Sequence, residues 1–272
     1  MGNELFNEIH PDVYEVATAI ELFHNFSLIH DDIMDNAPLR RGKQTVHEKF
    51  GHATALLAGD MMLVTAYDHL NKVHPGYIRS IIDLFNQTAR EVCEGQQLDM
   101  DFEKKQVHLN EYLHMIELKT SVLIAASLRL GAILGGAGEG NQRHLYEFGK
   151  CLGTAFQVQD DYLDAFGDPS KFGKQVGGDI RSNKKTFLLI KALESATGFN
   201  AKELSRLLNE NPDDKVERVL QIFRDCGVDN WAFNLKEQYM TTAERHLEEI
   251  AVLSSRKAPL NELAAYLIKR EH

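Results

Sequence analysis

The sequence predicts an all-α fold. Three observations carry that expectation. The chain of 272 residues has only six prolines. Several segments of more than about twenty residues repeat apolar side chains at helical spacing, and nowhere does strand-like alternation run long enough to build a sheet. The length is enough for one large domain, residues 1–272, with a substantial core. Thirty basic against forty acidic residues leave a net charge of −10, which argues against nucleic acid as a partner and against attraction to anionic membrane. Cys93, Cys151 and Cys226 are widely spaced, lack metal-ligand spacing, and read as buried thiols in a reducing cytosol. Residues 1–30 contain no Lys or Arg, so the opening does not read as a signal peptide. The most apolar stretch, 121–138, includes Arg129 and reads as a buried helix running to a glycine stop, not a membrane span. A cytoplasmic protein without integral membrane association is expected.

Taken in order, the first helix covers about 12–36. A second covers 52–73 and is stopped by His74-Pro75-Gly76. A third, 77–102, carries Gly95 in its middle; glycine there costs about 1 kcal/mol relative to alanine, so it is expected to permit a close helix approach. Asn110 can cap a helix of 111–135 that ends at Gly135-Gly136. The next helix is 141–166. The loop 167–183 is rich in glycine and charge, with Lys171, Lys174 and Arg181, and suits a lid that brings cations onto phosphate. Helical periodicity resumes over 184–195, 201–210, 214–225, 228–253 and 259–270, broken at Pro212 and Gly227. No internal repeat and no linker divides the chain.

Two stretches carry chemistry. In the first helix Asp31 and Asp35 stand one turn apart on one face, with Asp32 about 100° round from Asp31. Like charges at that spacing destabilise a solvated helix by about 0.2–0.5 kcal/mol, and by more where water is excluded. Flanked by Leu28, Ile29, Ile33 and Met34, they call for a cation. An all-oxygen donor set that keeps some water suits magnesium. Arg40 and Arg41 follow, offering planar forks to phosphate oxygens. An isolated Asp-Asp-x-x-Asp is most often a solvated helix end. Here the spacing recurs at Asp160, Asp161 and Asp164, again after an apolar helical stretch, and the pair reads as two jaws on one metal-diphosphate group.

With Arg40-Arg41 after the first triad, Lys119-Thr120 between the triads, and Lys174 and Lys184 after the second, the whole chain resembles the trans-isoprenyl diphosphate (polyprenyl) synthases. The resemblance implies an isoprenoid-synthase-type helical bundle around a central apolar cavity. It implies prenyl transfer from an allylic diphosphate to isopentenyl diphosphate, with Mg2+ as cofactor and a homodimer as the assembly. On that likeness Asp31, Asp35, Asp160 and Asp164 hold magnesium, with Asp32 and Asp161 in support. Arg40, Lys119, Lys174 and Lys184 contact the allylic diphosphate, and Thr120 and Gln157 turn oxygens toward the positive carbon. Arg41 and His24 bind the diphosphate of isopentenyl diphosphate. Phe26, five residues before Asp31, is expected to floor the product channel, with Ser27 too small to do so. One aromatic at that position implies geranylgeranyl diphosphate as product, with farnesyl diphosphate next.

One departure stands beside the likeness. Family members carry an early Gly-Lys-x-x-Arg-Pro loop that grips isopentenyl diphosphate, whereas the first basic residue here is Arg40. Residues 1–8 resemble the end of the family's second helix, so the chain reads as truncated. An impaired fragment, or a non-catalytic partner subunit of a prenyl synthase, is therefore the alternative to an active synthase. A terpene cyclase is disfavoured, since such enzymes use a different second metal motif.

Overall fold

A computed structural model describes residues 1–103, 105–167 and 177–269. Among these the architecture is all-α, apart from one two-residue hairpin. Contacts divide the chain into two compact units, Met1–Gln87 with Ala126–Gln142, and Thr88–Ala125 with Arg143–His272.

The first unit is built on α1 (Asp12–Met34) and α3 (His52–Leu70). On α3 the buried residues Ala55, Gly59, Ala66 and Leu70 fall at helical spacing on one face, so small side chains let the helices come close. α1 contributes Val16, Ala19 and Phe23 to the same interior, and the Phe23 ring meets Phe85 edge-on at 5.4 Å. Between these helices lie β1 (Leu39–Arg40), β2 (Lys43–Gln44) and the short α2 (Val46–Phe50).

α4 (Pro75–Phe102) begins at the proline that was expected to stop its predecessor. Proline suits a first helical position, because its missing N–H has no intrahelical partner there. α5 (Leu109–Ile116), in the second unit, passes through a π-helical turn, Glu117–Ser121, into α6 (Val122–Leu134), most of which belongs to the first unit. The cap of α5 is His108, not Asn110: the backbone N–H of His108 donates to Glu111 Oε2 at 2.9 Å, which places the acidic residue where the helix dipole favours it. α7 (Glu139–Phe166) carries the second triad at its end, and the short α8 (Gly178–Arg181) follows.

The remaining helices are α9 (Phe187–Ser195), α10 (Gly198–Glu210), α11 (Lys215–Asp225), α12 (Val228–Glu248) and α13 (Ser254–Lys269). α13 starts before Pro259, which lies inside it near the first turn, not at its head. Phe187, Leu204, Leu207, Val219, Phe223 and Val228 form the centre of this unit's core, each 1% exposed or less. Of the three cysteines only Cys151 is buried; Cys93 is exposed and Cys226 half-buried. Among the described residues no helix is long and apolar enough to cross a membrane.

Candidate functional site

The first triad closes α1. Asp32 is buried, Asp31 half-buried and Asp35 exposed. No basic residue occupies the last turn of the helix, so three carboxylates share the negative end of its dipole. The cation arrives from the hairpin. Asn36 leaves the helix with φ +49°, and the N–H of Thr45 donates to the Pro38 carbonyl at 3.2 Å. The Thr45 hydroxyl donates to the Ala37 carbonyl at 2.7 Å, closing the base of the hairpin. Leu39 pairs with Gln44 and Arg40 with Lys43, leaving Arg41 (φ +53°) and Gly42 (φ +73°) as the turn. Positive φ at both central residues is what a two-residue hairpin of this hand requires. The turn folds Arg40 back onto the helix end, where Nη2 donates to Asp31 Oδ2 and Nε to Asp32 Oδ1, each at 2.8 Å.

His24 lies two turns before Asp31 on the same helix. Burial pushes its imidazole below the ordinary histidine range; Arg41 and Arg40 push the same way, while Glu21 opposes them. The ring is therefore neutral at pH 7, and an anion placed beside it would favour the protonated form. Phe26 is half-buried. Its ring packs at 5.6 Å from Phe23 and at 4.6 Å from His30.

The second triad ends α7, and again the middle carboxylate is the buried one. Asp161 accepts the Tyr112 hydroxyl at 2.9 Å on one oxygen and the Gln157 amide at 2.8 Å on the other. Burial pushes its carboxyl up to about 7; Lys184 pulls it down, Asp179 pushes it up, and the two hydrogen bonds favour the charged form. Burial and the Asp161 charge hold the Tyr112 phenol well above its usual value, so it remains a donor. Asp164 accepts the Asp179 backbone N–H at 3.0 Å through Oδ2, and its carbonyl accepts the Gly177 N–H at 2.7 Å. Asp160 is half-buried.

Lys119 and Thr120 sit on the π-helical turn. Two glycines let neighbouring helices reach its backbone. A Cβ added at Gly95 of α4 would lie 2.4 Å from Lys119 N, and one added at Gly153 of α7 would lie 2.7 Å from Ser121 Cα. The close approach expected at Gly95 is therefore present, and its contact is the turn that presents Lys119. Lys119 Nζ donates to Asp99 Oδ2 at 2.7 Å, with Asp99 one helical turn beyond Gly95.

Lys184 is exposed and close enough to act on Asp161. Lys174 lies outside the described residues, as does most of the first half of the expected 167–183 lid. Its second half is not a plain loop but holds α8, whose start is pinned to the triad by the Asp179 N–H on Asp164. Sequence reasoning missed Asp99, Tyr112 and Asp179. For Asp99 a signal existed, since it stands at i+4 from the glycine that marks the close approach. Tyr112 and Asp179 meet the triad only through the fold.

The donor chemistry fits magnesium. Every triad ligand is a carboxylate, and this cation takes one or two carboxylates while phosphate and water complete its shell. The buried Asp161 reinforces the fit, because a cation beside it favours the ionised form that burial disfavours. Among the described residues no three His, Cys, Asp or Glu side chains converge into a ready cage.

The sequence pattern of the family described as polyprenyl synthetase matches residues 1–226. A short chain isoprenyl diphosphate synthase of Methanothermobacter thermautotrophicus is 37% identical over 96% of this chain and 81% of its own length. A crystal structure of a geranylgeranyl pyrophosphate synthase superposes with a TM-score of 0.93 at 42% identity, covering 100% of this chain and 85% of the other. A geranylgeranyl pyrophosphate synthase from Corynebacterium glutamicum, solved with isoprenyl diphosphate and magnesium, superposes with a TM-score of 0.88 at 28% identity, over 99% of this chain and 84% of that one.

Proposed function

This chain belongs to the polyprenyl synthetase family, and from that premise we propose that it joins isopentenyl diphosphate to an allylic diphosphate, with geranylgeranyl diphosphate as the main product. The C1–O bond of the allylic diphosphate breaks, the isopentenyl double bond supplies the electrons of the new carbon–carbon bond, and a proton and pyrophosphate leave. The observation that carries the reading is the matched pair of Asp-Asp-x-x-Asp helix ends. In each, a buried middle carboxylate held by hydrogen bonds stands between outer carboxylates that are half-buried or exposed.

Asp31, Asp35, Asp160 and Asp164 would hold magnesium, with Asp32 and Asp161 behind them, and the metal supplies charge stabilisation for the departing diphosphate. Lys119, Lys174 and Lys184 grip the allylic diphosphate as point charges. Arg40 rests on Asp31 and Asp32 in this structure, and its fork serves phosphate oxygens in the loaded enzyme. Arg41 and His24 take the diphosphate of isopentenyl diphosphate. Thr120 and Gln157 turn oxygens toward the positive carbon; the Gln157 amide hydrogen is already spent on Asp161, which fixes the side chain's direction. Phe26 floors the channel that the growing chain enters.

The enzyme is proposed to work as a cytoplasmic homodimer. Supporting this, α3 exposes Leu57, Met61 and Val64 at helical spacing, each more than half exposed, and an apolar face of this kind suits a second copy of the chain. The test is turnover of farnesyl diphosphate with labelled isopentenyl diphosphate by the purified chain, with and without magnesium. A twenty-carbon diphosphate formed only with the metal is the expected result. No metal-dependent condensation would overturn the reading.

A further inference from the structure

α11 opens on a lysine in an unusual place. Lys215 is 1% exposed and occupies the first position of the helix, where the dipole disfavours a cation. Its ammonium donates to Asn211 Oδ1 at 2.9 Å, to Asn183 Oδ1, and to the Arg181 carbonyl at 3.4 Å. All three acceptors are neutral amide oxygens, a costly setting for a buried charge.

Both asparagines are left-handed, with φ +57° at Asn183 and +50° at Asn211. Asn183 is also held from its other end, since its Nδ2 donates to the Leu208 carbonyl at 3.0 Å. One ammonium thus joins two left-handed corners, the end of α10 and the turn that leads out of α8. That turn has little packing behind it. A cleft of about 360 Å³ opens there, lined by Asn183, Lys185, Leu189, Ile190 and Leu208 among others.

The turn is tied to the second triad at its other end. The Asp179 N–H bonds Asp164 at 3.0 Å, and the Lys184 N–H bonds the Asp179 carbonyl at 2.9 Å. The next residue after Asn183 is Lys184. We propose that Lys215 is a positioning residue for prenyl transfer, clamping residues 181–183 so that Lys184 is presented beside the second triad. Lys215 does not touch substrate. The inference rests on the reading of Lys184 as an allylic diphosphate contact.

A double-mutant cycle tests it, using kcat and KM for farnesyl diphosphate on the full chain with magnesium. Lys184→Ala should raise KM by tenfold or more. Lys215→Met should raise KM severalfold to tenfold in the parent, yet by less than twofold when Lys184 is already alanine. Equal effects in both backgrounds, or a lowered melting temperature with unchanged KM, would make Lys215 merely structural and overturn the inference. Should Lys215→Met not fold, Asn183→Gly keeps the left-handed backbone, deletes the acceptor and enters the same cycle. Lys215→Arg, which keeps the charge, should recover part of the loss. If Lys184→Ala itself leaves KM unchanged, the assignment of Lys184 falls and takes this inference with it.

Discussion

The two aspartate triads share a spacing and differ in how their buried carboxylate is kept. Asp32 has a guanidinium, delivered by a hairpin that turns Arg40 back onto its own helix. Asp161 has a phenol and an amide, both neutral, and lies within reach of the Lys184 charge. A guanidinium in direct contact meets a buried carboxylate with opposite charge, whereas neutral donors only partly offset the loss of water. Asp161 is accordingly pushed up to about 7 in the metal-free protein. The same three letters in a sequence therefore describe one end whose buried carboxylate touches a cation and one whose buried carboxylate is held by neutral donors.

The strongest way to break this comparison is to remove, from either side, a carboxylate proposed to face the metal. Asp31→Ala and Asp160→Ala should each lower turnover about a thousandfold or more, since charge stabilisation by the metal is worth several kcal/mol. Steady-state kinetics on both variants check it, and Asp31→Ala should also lower the melting temperature because Arg40 loses a partner. Asp161→Asn comes next. A carboxyl whose folded pKa is raised binds more protons in the folded than in the unfolded state between about pH 4 and 7. Its contribution to stability is thus full below the unfolded pKa and is lost as pH rises through about 7. The variant should shed up to about 4 kcal/mol of that pH dependence, read as urea midpoints at pH 4.5 and 8 without metal.

Arg40→Gln sharpens the contrast from the other side by giving the first triad a neutral neighbour. Metal-free stability at pH 8 should fall by about 1–3 kcal/mol, read as a lowered urea midpoint; an unchanged midpoint would remove the guanidinium's part in the contrast. The smallest effect on turnover is expected of Phe26→Ala, a change on the first triad's helix that removes no charge. Its readout is product chromatography, with the distribution lengthening by at least one five-carbon unit; an unchanged distribution would place the channel floor elsewhere.

The helices were legible because their apolar periodicity is long and prolines are few. The boundaries that differed turned on local hydrogen bonding that periodicity does not carry. Pro75 can end one helix or begin the next, and His108 outcompetes Asn110 as cap because Glu111 stands three residues later. The triads were legible because carboxylates at one-turn spacing are costly unless used. What supports them was not. Tyr112 is 49 residues from Asp161, and no local pattern announces a contact made only when two helices pack. The π-helical turn under Lys119 is equally silent in the sequence, although Gly95, which makes room for it, was not.

Arg41 sits at a hairpin position that asparagine or glycine fills more comfortably, with a φ of +53°. Variant libraries screened for heat resistance alone would be drawn to Arg41→Asn or Arg41→Gly, which relax the backbone and leave the hairpin pairing intact. Such winners would pass every assay of folding while losing a guanidinium assigned here to isopentenyl diphosphate. Selection on this scaffold needs a catalytic readout from the first round, because at this residue thermal robustness and substrate capture pull in opposite directions.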